Sequence, residues 1–147
     1  LVTRYWVRDG RPSLRVLVVD DSQTNRFLMT RMLEERGHST TVAADGLEAV
    51  EMVERSDFDV VLMDIMMPGM DGLEATRIIC ERRANPADRP LIVGVSAFTD
   101  DTSRERGRAA GMVTFLAKPI RPDDLYAAVE QQAPDALTGP EAEVATG

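Results

Sequence analysis

Disulfide chemistry is closed to this chain. Its 147 residues include one cysteine, Cys80, which excludes an intrachain bridge and agrees with a reducing compartment. No apolar run approaches 18 residues, so no segment reads as membrane-spanning. The start lacks the basic-then-apolar pattern of a signal peptide, so the expected location is cytoplasmic. Histidine is represented by His38 alone, and no Gly-rich nucleotide loop is present. Lysine is nearly missing too: of 17 basic residues every one is arginine except Lys118. A formal charge of −8 and a pI near 4.7 disfavour nucleic acid and anionic membrane as partners. What remains is 44% hydrophobic residues, enough for one ordinary core.

From Leu14 onward, short β-branched runs take turns with helical stretches. RVLVV (15–19), STTVA (39–43), VVLM (60–63), LIVGV (91–95) and VTFLA (113–117) read as strands. Helices are expected over 23–36, with Leu28, Met29, Met32 and Leu33 inward, and after Asp45, where Glu48 completes a capping box. Others are expected from about Gly72, over roughly 102–110, and from Pro122, with Asp123 and Asp124 in the first turn. Strands 15–19 and 60–63 are apolar on both faces. Together these features imply an open parallel α/β sheet covered by helices on both sides. Residues 1–13 show no period and read as an irregular leader or linker from an upstream module. Residues 14–132 form the domain, and 133–147 read as a flexible tail without an output domain.

In open parallel sheets, functional groups gather beyond the carboxyl ends of the strands. Asp20-Asp21, Asp64, Ser96 and Lys118-Pro119 all fall there. An aspartate after a strand is often only a turn former or a cap, and a serine likewise. Three carboxylates, a hydroxyl and an ammonium on one rim are harder to explain that way. Clustered carboxylates repel one another unless a cation compensates, and Mg²⁺ suits an all-oxygen site. A carboxylate beside Mg²⁺ can attack phosphorus and become an aspartyl phosphate.

The segment LMDIMMPGMDGLEA around Asp64, with Pro68-Gly69 forcing a turn, is the most specific signal in the chain. With VLVVDDS, VSA at 95–97 and FLAKP at 115–119, it resembles the response-regulator receiver domain over residues 14–132. That resemblance implies a flavodoxin-like (βα)5 doubly wound sheet in strand order 2-1-3-4-5. It implies Asp64 as phosphoacceptor, and Asp20, Asp21, Asp64 and the Met66 carbonyl as Mg²⁺ ligands, Asp20 largely through water. It further implies Ser96 as the switch hydroxyl, Phe115 as the aromatic that follows it inward, Lys118 as the phosphate-binding lysine and a cis Lys118-Pro119 bond. Two departures are mild: Thr114 stands where an acidic residue is common, and Phe115 lacks a tyrosine's hydroxyl. VDDSQTNR and LMDIMMPGMDGLEATR are most similar to receivers attached to hybrid histidine kinases. The implied partners are a histidine kinase or histidine phosphotransfer domain and a downstream protein, with homodimerisation on phosphorylation through the last two helices as a further option.

Other features read more plainly. His38, in the turn after Gly37, reads as solvent-facing rather than as a phosphodonor, and without a second histidine or an ATP motif the chain is not itself the kinase. Cys80 and the methionines 66, 67 and 70 read as packing residues, and Arg104–Arg108 as a solvated helix face. Two enzyme or cofactor classes compete. An aspartate-nucleophile phosphatase carries a second Asp two residues after the nucleophile, where this chain has Met66. A flavin-binding module needs a phosphate loop after the first strand, where this chain has the acidic DDSQTN.

Overall fold

The computed structural model describes residues 6–8, 11–98 and 100–131. Five strands form one parallel sheet: β1 (Arg15–Val19), β2 (Ser39–Ala43), β3 (Val60–Asp64), β4 (Leu91–Ser96) and β5 (Thr114–Ala117). Their spatial order is β2-β1-β3-β4-β5, as the family resemblance implies. The helices α1 (Gln23–Glu35), α2 (Gly46–Arg55), α3 (Gly72–Arg82), α4 (Asp101–Ala110) and α5 (Pro122–Glu130) follow the strands in turn. Side-chain oxygens of Ser22, Asp45, Asp71 and Asp100 cap the first four helices.

The central strand β3 alternates between two cores. Val60 and Leu62 join Val16, Val18, Leu33, Leu125 and Val129 beneath α1 and α5. Val61 and Met63 face the other way, toward Val50, Val53, Ala75 and Ile79 of α2 and α3. A strand buried on both faces must be apolar throughout, which is why its terminal carboxylate is conspicuous.

Four readings need correction. Trp6–Arg8 and Arg11–Ser13 pair antiparallel, so the leader is not wholly irregular. His38 is buried rather than solvent-facing. The Leu14 amide donates to its Nδ1 at 3.0 Å, and its Nε2 lies 2.9 Å from Glu130 Oε2. Those partners come from 24 and 92 residues away, so the local turn gave no hint of them. Leu28 is exposed, while Met29 and Leu33 carry the inward face of α1. Met66 is 63% exposed, whereas Met67 is buried, so the methionine segment packs only in part. Cys80 and the α4 arginines stand as expected. The expected tail, 133–147, lies outside the described residues.

Candidate functional site

Strand pairing sets the geometry of the rim. Asp64 is the last residue of β3 and sits opposite Val95 of β4, and Ser96, the last of β4, sits opposite Ala117 of β5. The Lys118 amide donates to the Ser96 carbonyl at 3.0 Å, extending the ladder by one residue. Hydrogen bonding of the backbone thus fixes where each functional side chain starts.

Asp20, Asp21 and Asp64 offer carboxylate oxygens that all lie within 4.8 Å of one another. Asp20 and Asp64 are buried and Asp21 is exposed. Lys118 Nζ reaches both buried carboxylates, 3.4 Å from Asp20 Oδ2 and 3.2 Å from Asp64 Oδ1. The Lys118-Pro119 peptide bond is cis.

The start of α1 holds Asp20 in place. The Ser22 amide donates to Asp20 Oδ1 at 2.8 Å, and Asn25 Nδ2 lies 3.4 Å from Oδ2. The Arg26 guanidinium donates to the Asp20 carbonyl at 2.7 Å. Sequence reading passed over Asn25 and Arg26. Their signal was position, one turn into a helix whose cap directly follows the acidic pair.

Asp64 accepts from the Met66 amide at 3.3 Å through Oδ1. Its Oδ2 is buried with no hydrogen-bond partner. Burial, and then Asp20, push its carboxyl from 3.8 up to about 6, against the opposing influence of Lys118. Burial also works to lower Lys118, but Asp64 and Asp20 outweigh it and hold the ammonium above its usual 10.5. Three carboxylates face one ammonium, so negative charge is left over. An orphaned buried oxygen in an all-oxygen donor set fits a hard divalent cation and does not fit a soft one.

The turn after Asp64 is tight. Gly69 takes φ 76°, a conformation L side chains rarely adopt. The Gly72 amide donates to the Ile65 carbonyl at 3.0 Å, and a Cβ at Gly72 would collide with the Asp64 carbonyl oxygen. The phosphoacceptor candidate therefore depends on Gly72 for its backbone position.

Ser96 Oγ accepts from the Phe98 amide at 2.9 Å. Met66 and Phe98, both more than half exposed, line a cleft with Ile65, Pro68 and Ser96. Phe115 packs against the α2/α3 core, in space left by Gly94 and Gly107, and Arg108 lies 5.7 Å from its ring centre. None of the described helices is long and apolar enough to cross a membrane.

The sequence profile of the response regulator receiver domain matches residues 16–130. Protein PilH of Pseudomonas aeruginosa is 37% identical over 111 residues, covering 76% of this chain and 90% of PilH. Hybrid signal transduction histidine kinase I of Dictyostelium discoideum is 35% identical over 123 residues, 80% of this chain but 7% of that much longer protein. Among solved structures, the receiver domain of sensor histidine kinase PA1611 from P. aeruginosa, with magnesium coordinated in its active-site cleft, is 32% identical. It superposes with a TM-score of 0.73 over 82% of this chain and 97% of that one. With the sheet order, the acidic rim and these likenesses in agreement, the chain belongs to the response regulator receiver family, the receiver domains of two-component signalling.

Proposed function

We propose that Asp64 is the phosphoacceptor of this receiver and that Asp20, Asp21 and Asp64, with the Met66 carbonyl, hold Mg²⁺ beside it. The observation that carries this reading is the contact of Lys118 Nζ with both buried carboxylates while Asp64 Oδ2 has no partner. The ion, when bound, supplies positive charge that favours the Asp64 carboxylate and the incoming phosphoryl oxygens.

A carboxylate oxygen of Asp64 attacks the phosphorus of a phosphohistidine. The new O–P bond forms as the N–P bond breaks, and the electron pair leaves with the imidazole, which takes a proton from solvent. Lys118 neutralises a phosphoryl oxygen, a task suited to a compact point charge. Ser96 then leaves the Phe98 amide to donate its hydroxyl to the phosphoryl group, and with Phe115 shifts the balance of a pre-existing equilibrium in α4 and β5.

The domain acts as a switch and not as a turnover enzyme. Met66 has no titratable group to activate water, so hydrolysis of the acyl phosphate is slow. The donor is a protein carrying phosphohistidine, either a histidine kinase or a phosphotransfer domain, in the cytoplasm. An apolar groove formed by Leu28, Met32, Pro119 and Ile120 borders Asn25 and Lys118, so a donor seated there is beside Asp64. Incubation with acetyl phosphate and Mg²⁺, followed by intact-mass measurement, tests the assignment. One added phosphoryl group is expected, and none in Asp64→Ala; an unmodified wild-type chain sinks it.

A further inference from the structure

We infer that Gly46, the first residue of α2, is a positioning residue for the phosphoacceptor loop: it leaves room for Met70 and so sets where the loop from Ile65 to Asp71 stands beside Asp64. The inference rests on the proposed metal and phosphoacceptor reading and adds to it a determinant from a different part of the chain.

Gly46 does not owe its place to backbone conformation. Among the described residues the glycines with positive φ are Gly37, Gly69 and Gly111, so Gly46 lies in a region open to any residue. Helix propensity would favour alanine there. Space is what excludes a side chain. A Cβ at Gly46 would lie 2.6 Å from the Met70 carbonyl oxygen, 3.0 Å from Met70 Cγ and 3.2 Å from its Cβ. The nearest of these atoms is backbone, so a rotamer change cannot relieve the conflict. Either α2 retreats or the loop moves.

The loop is tethered at both ends. It is closed at its base by the Gly72 amide on the Ile65 carbonyl, and its far end is fixed by Asp71, whose side chain caps α3 at 2.8 Å on the Glu74 amide. Between those ties stand Met66, whose amide touches Asp64 Oδ1, and Met67, buried in the core. A push at Met70 is therefore passed to the Met66 peptide and to Asp64. Alanine at Gly46 can be tolerated by the core and still spoil the metal site, since groups that hold ligands in place typically matter about 10–100-fold in affinity.

The experiment uses the full 147-residue chain and Mg²⁺ alone as probe, with titration by calorimetry or amide chemical shifts. Gly46→Ala is compared with wild type and with Val53→Ala, which removes buried volume from the same helix away from the loop. Expected results are a magnesium dissociation constant raised about tenfold or more in Gly46→Ala and unchanged in Val53→Ala, although both lower the melting temperature. Equal dissociation constants in Gly46→Ala and wild type would overturn the inference. So would equal weakening in Val53→Ala, which would mark the effect as general destabilisation. Should Gly46→Ala fail to fold, Met70→Ala, which removes the half-buried side chain packed toward Gly46, is expected to weaken magnesium in the same direction, and an unchanged constant there counts against the inference. Failure of wild type to bind Mg²⁺ at all refutes instead the metal site on which it rests.

Discussion

His38 Nε2 lies 2.9 Å from Glu130 Oε2, joining the turn before β2 to the last residue of α5 inside the protein. Because the Leu14 amide donates to Nδ1, the ring proton sits on Nε2 and points at the carboxylate. Arg36 completes the cluster with two bonds to Glu130, at 2.7 and 2.9 Å, and lies over the Tyr126 ring. His38→Ala strands a buried amide and removes one partner of Glu130, so it is expected to cost about 2–4 kcal/mol, read as a lowered midpoint in urea unfolding. Burial pushes Glu130 up, but Arg36 and His38 together hold it below its ordinary 4.5. Its contribution is thus present above that value and is lost as pH falls through the lower folded value.

Asp64 has the opposite sign. Its folded carboxyl is raised from 3.8 to about 6, so between these values the folded chain holds a proton that the unfolded chain has released. Stability falls as pH rises across that window and stays reduced above it. In EDTA near neutral pH, Asp64→Asn is expected to be more stable than wild type, by roughly 3 kcal/mol at most, with the gap closing below 3.8. Added Mg²⁺ should reverse the order by stabilising wild type alone. Thermal melts in both buffers at several pH values check this.

Lys118→Met removes the chain's single lysine side chain from beside Asp20 and Asp64. Phosphorylation by acetyl phosphate at saturating Mg²⁺ is expected to slow about 100-fold, in line with removal of a charge-stabilising group in other sites. Asp64 also loses the larger of the two influences that oppose its raised pKa, the Met66 amide being the other, so the pH at which the rate is half-maximal should move up. A rate profile unchanged in height and position would contradict the role given to Lys118.

Met66 and Phe98 are exposed apolar side chains on a shared cleft that opens beside Ser96, where a hydrolytic water would approach. Met66→Asn supplies a polar group able to orient water, so the aspartyl phosphate is expected to decay about tenfold faster while the phosphorylation rate stays close to wild type. Following loss of the added mass with time after removal of phosphodonor measures it.

Periodicity alone determined much of this protein. Strands apolar on both faces require two helical layers, and the parallel sheet that results delivers Asp20, Asp21, Asp64, Ser96 and Lys118 to one rim, because loops leave parallel strands at a common end. Motif spacing then named the family. Other properties were decided only by tertiary structure, since they depend on atoms brought together from distant parts of the chain. Burial of His38 required α5 to supply Glu130, and no local pattern encodes a partner 92 residues away. The inward face of α1 was assigned by spacing, but the packing of the helix left Leu28 exposed on a groove shared with Lys118, Pro119 and Ile120, the segment that follows β5. The raised Asp64 carboxyl likewise follows from desolvation and from Asp20, both set by how closely the sheet and helices pack and neither carried by an aspartate in a string of letters.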